Sequence, residues 1–142
     1  MGTRSTIAIQ NEDGSVTGIY CHWDGYLSHN GKILAENYTT EAAVRELIAL
    51  GDLSSLGANI GEKHDFNNAP YADTIAETVC TAYGRDRGET GVDARTCHSW
   101  TRFINAEGQE YDYLFQPSTG KWQVNTYNGI YDLAEAFLAE EA

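Results

Sequence analysis

Eight consecutive residues, Ile19-Tyr20-Cys21-His22-Trp23-Asp24-Gly25-Tyr26, carry a thiol, an imidazole, an indole, a carboxylate and two phenols. A core strand needs no such mixture, so the segment reads as a strand that runs into a turn and presents chemistry at its end. On a strand, positions two apart share a face, so His22 and Asp24 could meet as an acid–base pair. Cys21-His22 and Cys97-His98 supply two thiol–imidazole pairs that invite a zinc reading. Structural zinc sites, however, space their ligands a few residues apart, and adjacent strand residues point to opposite faces. The plainer reading buries Cys21, leaves His22 at the surface, and assigns no metal ligand and no cofactor. A second candidate is Gly84-Arg85-Asp86-Arg87-Gly88, where two guanidinium groups could grip phosphate oxygens. The plainer reading there is ion pairing of Arg85 and Arg87 with nearby carboxylates. No P-loop or dinucleotide fingerprint accompanies them. Trp23, Tyr26 or Trp100 could stack a base. The candidate binding residues are thus His22, Trp23, Asp24, Tyr26, Arg85 and Arg87, and no catalytic residue is assigned.

The elements that must position these residues follow from periodicity. Ser5 to Gln10 and Val16 to Trp23 are β-prone and flank the turn-forming Asn11-Glu12-Asp13-Gly14-Ser15, which makes a hairpin. Ile7, Ile9, Ile19, Cys21 and Trp23 would share its buried face, with Tyr20 and His22 on the other. Tyr26 to Tyr38 reads as a helix interrupted near Gly31. Thr40 is placed to cap a helix carrying Ala43, Val44, Leu47 and Ile48, which ends at Gly51. Gly51 to Pro70 reads as a long loop with one short strand. Thr74 to Tyr83 leans to strand, Gly84 to Gly91 to a charged loop, and Ala94 to Ile104 fits strand or helix. Tyr111 to Phe115 and Trp122 to Thr126 alternate about Pro117-Ser118-Thr119-Gly120 and form a second hairpin. Asn128-Gly129 stops it, and Ile130, Leu133, Ala134, Phe137 and Leu138 fit a C-terminal amphipathic helix. The expected fold is a single α+β domain over residues 1–142: an antiparallel sheet built from the N- and C-terminal hairpins, with two or three helices on one face.

Thr3-Arg4-Ser5, the IYCHWDGY segment from Ile19 to Tyr26, Gly51-Asp52-Leu53-Ser54-Ser55-Leu56-Gly57 and Tyr83-Gly84-Arg85-Asp86-Arg87-Gly88-Glu89 together resemble a group of small uncharacterised proteins encoded by bacteriophages, prophages and mobile elements. The likeness extends to about Glu89. It implies a setting, that of a mobile-element accessory protein acting on host machinery such as a defence complex.

Composition narrows the classes. Twenty-one Asp and Glu against nine Lys and Arg give a formal net charge of −12, which disfavours direct nucleic-acid binding and favours a partner with a basic surface. Sixteen aromatic residues, nine Tyr, four Phe and three Trp, exceed what one small core needs and can serve as interface anchors. The odd cysteine count, a polar opening segment and the lack of a long apolar run point to a reducing cytoplasm and no membrane span. The sequence therefore reads as a binder of a host protein rather than a catalyst. The alternative is a nucleotide or other anionic-ligand binder, or hydrolase, using the His22/Asp24 and Arg85/Arg87 regions.

Overall fold

The computed structural model describes residues 2–141. In chain order it contains β1 (Ser5–Gln10), β2 (Val16–Cys21), a π-helical turn (Leu27–Gly31) that runs into α1 (Lys32–Asn37), and α2 (Glu41–Ile48). β3 (Leu53–Ser55), a 3-10 turn (Ile75–Glu77), β4 (Thr81–Ala82), α3 (Tyr83–Arg87), β5 (Arg95–Cys97) and α4 (Trp100–Glu107) follow. The chain then runs through β6 (Tyr111–Gln116), β7 (Lys121–Thr126), β8 (Gly129–Asp132) and α5 (Leu133–Glu141). The α+β class stands, and both expected hairpins form: Ser5 pairs Cys21 through to Gln10 with Val16, and Asp112 pairs Asn125 through to Gln116 with Lys121.

The sheet is mixed rather than antiparallel. Its order is β4-β3-β2-β1-β6-β7-β8, with β5 also on β2. The two hairpins abut through β1 and β6, which run parallel, as do β2 and β3. Among the described residues there are five α-helices rather than two or three, and they occupy both faces. On one face, residues of α1, α2 and α5 (Ile33, Leu34, Val44, Leu47, Leu133) pack on the sheet residues Ile7, Ile9, Ile19, Tyr113, Phe115 and Val124. On the reverse face Phe103 of α4 packs against Ala8, Val16 and Leu114. The second layer exists because Ala8 and Gly18 are small. A Cβ on Gly18 would lie 2.6 Å from the Phe103 ring, so the aromatic occupies the space a side chain would fill.

Local expectations fare unevenly. Thr40 caps α2, its hydroxyl accepting from the Ala43 amide at 3.2 Å. The stretch from Thr74 to Tyr83 is strand only at Thr81–Ala82, and the supposed charged loop after Tyr83 begins as α3. Ala94 to Ile104 holds both alternatives in succession, β5 and then the start of α4. Asn128-Gly129 does not stop the second hairpin. Tyr127 and Asn128 form a two-residue turn, Thr126 pairs Gly129, and Ile130 lies in β8 rather than in the C-terminal helix.

Candidate functional site

The end of β2 is a built turn. The amides of His22 and Trp23 both donate to β3, to the carbonyls of Leu53 and Ser54, each at 3.0 Å. In a regular strand adjacent amides point opposite ways, so the alternation breaks here. That break removes Trp23 from the buried face it was expected to share with Ile19 and Cys21, and its side chain is exposed. Asp24 then takes a left-handed conformation, φ 58°, which Asp tolerates better than most residues. Gly25 follows where a Cβ would meet that of Ser5 at 2.7 Å. Three groups hold the turn from below. The Gly25 amide donates to Thr3 at 2.8 Å, the Tyr113 hydroxyl donates to the Gly25 carbonyl at 2.6 Å, and the Asn30 side chain donates to the Trp23 carbonyl at 3.2 Å.

The groups with catalytic potential are largely committed elsewhere. Cys21 is fully buried, and burial pushes its thiol up to about 12, so a thiolate is not available near neutral pH. Cys80 is buried and raised for the same reason. His22 shares a hydrogen bond with the Tyr20 hydroxyl at 2.8 Å and meets Trp23 edge-on at 4.7 Å between ring centroids. Its polar partner is thus Tyr20 rather than Asp24. The Tyr20 hydroxyl is itself raised by burial.

The two Cys-His pairs lie apart. Val16 pairs Cys97 while Cys21 is the other end of β2, so five residues, about 17 Å of strand, separate the pairs. Among the described residues no three His, Cys, Asp or Glu side chains are grouped to hold a metal ion.

Arg85 and Arg87 part company on α3. Arg85 donates to the carbonyls of Ile60 and Cys80, each at 2.8 Å, and forks onto Asp86 at 3.0 and 3.2 Å. Burial pushes the Asp86 carboxyl up. Arg85 and the amides of Ala82 and His64 more than offset this and hold it below the usual carboxylate range. This knot fastens the loop before β4 to α3. Arg87 points outward, pairs with Glu89 at 3.2 Å and lies over the Phe66 ring at 5.0 Å. Only one of the two guanidinium groups therefore faces solvent. Phe66 in turn packs on Tyr83 at 5.4 Å.

Comparison with protein-family models, curated proteins and solved structures finds no match to this chain.

Topology gathers exposed aromatics at one end of the sheet. β1, β3 and β6 begin there, β2 and β7 end there, and the β7–β8 turn closes it. Trp23 is 44%, Tyr26 39%, Tyr127 101% and Tyr131 39% exposed, and Ile130 joins them at 54%. A cleft of about 290 Å³ lined by Leu27, Tyr111, Tyr131 and Ala136 lies between the π-helical turn and α5. Trp23 and Tyr26 thus lie at the same end of the sheet as Tyr127 and Tyr131, while Arg85 is tied into the loop before β4. The second pair escaped sequence reasoning because Asn128-Gly129 was read as a stop. Tyr127-Asn128-Gly129 before a β-prone Ile130-Tyr131 was the available signal of a tight turn into another strand.

Proposed function

We propose that this chain is a mobile-element accessory protein that binds and modulates a host protein through the aromatic end of its sheet, acting in the host cytoplasm. One observation carries the reading: Trp23, Tyr26, Tyr127 and Tyr131, distant in sequence, are exposed together at one end of a protein of net charge −12. Large rigid aromatics at such a place act as anchors, and an acidic surface around them favours a basic partner. A defence complex whose basic face handles nucleic acid is the class of partner that this chemistry fits, in keeping with the resemblance to phage and prophage proteins.

The test is capture from host lysate at low and high salt, followed by titration of the purified partner. Wild type is compared with Trp23→Ala/Tyr127→Ala, both exposed positions. A saturable complex lost in the double variant supports the reading. Its persistence in that variant refutes it.

The anionic-ligand reading is favoured by Arg87, Phe66 and Tyr83, which form a cation–aromatic surface. Thermal shift with a nucleotide panel tests it, because a ligand at 100 times its Kd adds about 2.7 kcal/mol.

A further inference from the structure

The two sides of the sheet end differently. On one side the terminal strands are β4, two buried residues fastened by the Asp86 carboxylate to the Ala82 amide at 2.8 Å, and β5, three residues whose Arg95 is held by Asp52 at 2.8 Å and Glu107 at 3.1 Å. Short length, charge and cover are how natural proteins close a sheet edge. On the other side β8 is terminal, with β7 as its strand partner and nothing beyond it among the described residues. It is four residues long and carries Asp132, but it has no Pro, no Lys or Arg and no register shift against β7, and Ile130 and Tyr131 are exposed. The sequence that follows β7's first residue is also acidic, although Lys121 itself lines a cleft with Asp132 at the far end of β8. Lys121 is the last cation in the sequence, and Trp122 to Ala142 contains Asp132, Glu135, Glu140 and Glu141 with no Lys, Arg or His.

We infer that β8 is a docking edge that receives an extended, lysine- or arginine-bearing segment of a partner protein as an additional strand. The inference rests on the reading above in taking the partner to be basic, and it adds how that partner is held. Backbone groups of the incoming strand bond to the open edge, and its alternate side chains fall to either face of the sheet. On the α5 side they meet Tyr131 and the cleft it lines with Leu27, Tyr111 and Ala136. On the reverse side they meet Ile130. Cations on the incoming strand answer the carboxylates of Asp132 and Glu135. A second copy of this chain is a poorer occupant, because it would bring an identical strand that carries Asp132 and no cation against this one.

The probe is a fluorescent peptide alternating lysine with valine, with two controls: the same peptide carrying a central proline, and one alternating glutamate with valine. The expected result is saturable binding that weakens with salt, slowed amide exchange in β8, and at least tenfold loss with the proline peptide and with Ile130→Lys. Ile75→Lys, another exposed position, leaves binding unchanged. If Ile130→Lys does not fold, amide exchange and the proline comparison on wild type decide. Equal binding of the proline peptide, unchanged binding by a folded Ile130→Lys, no binding at all, or a wild-type dimer that Ile130→Lys dissolves would each overturn the inference. In the lysate experiment, a partner lost with Trp23→Ala/Tyr127→Ala but kept by Ile130→Lys overturns the edge and leaves the aromatic reading standing.

Discussion

At the scale of single residues, this protein spends its reactive groups on structure. Asp86 collects the Ala82 and His64 amides and the Arg85 fork, and Arg85 caps the carbonyls of Ile60 and Cys80. Asp86→Ala strips all of these donors of their acceptor. We expect a loss of about 3–5 kcal/mol in chemical denaturation, because a buried pair is broken rather than replaced. The pH dependence has a definite sign. The folded carboxyl of Asp86 lies below its unfolded value, so its contribution is full above the unfolded value of about 3.9 and disappears as pH falls through the folded value. The difference in stability between wild type and Asp86→Asn should therefore narrow on acidification. The thiols give a second check. Cys21 and Cys80 are buried and raised, whereas Cys97 is half-buried. In native protein a disulfide reagent should modify Cys97 first and reach the other two only on unfolding. Equal rates for all three would mean that the core around β2 opens far more readily than its packing implies.

At the scale of elements, the layer behind the sheet is the part with most at stake. Phe103 is the fully buried anchor of α4 on Ala8, Val16 and Leu114. Phe103→Ala should cost about 3–5 kcal/mol by thermal or urea unfolding, and Gly18→Val, which drives a side chain into the same space, should also destabilise. The hairpins and the Thr40 cap were legible because alternation, turn residues and capping are local signals. The second layer was not, because the space it fills is marked in the sequence only by two small residues, Ala8 and Gly18, while Val16 and Leu114 beside them read as ordinary strand residues. The parallel β1–β6 pairing was hidden too, since it joins residues about a hundred positions apart with no local signature. The candidate site was legible by half. The IYCHWDGY segment announced a strand end, and His22 beside Tyr20 was foreseeable from their shared face. What strand periodicity could not foresee was that consecutive amides of His22 and Trp23 would both bond to β3, turning Trp23 out of the core. The pairing of Arg85 with Arg87 dissolved because α3 is a helix, on which residues two apart do not face one another.

At the scale of the whole molecule, a net charge of −12 and a small set of exposed aromatics divide the work of binding between two quantities that can be measured separately. The charge acts over distance and governs how often a basic partner arrives. The aromatics act on contact and govern how long it stays. Between roughly 0.01 M and 0.15 M salt the screening length falls from about 30 Å to about 8 Å, which removes most of the long-range field but little of a packed contact. Titrated against its purified partner in stopped flow, the wild-type association rate should fall steeply over that range while the dissociation rate changes little. Trp23→Ala should do the reverse, leaving association within about twofold and raising dissociation tenfold or more, as expected for loss of an interface anchor. If instead Trp23→Ala slows arrival and leaves departure unchanged, the aromatic end is not where the complex is held. The acidic surface would then be the only part of the molecule that the partner reads.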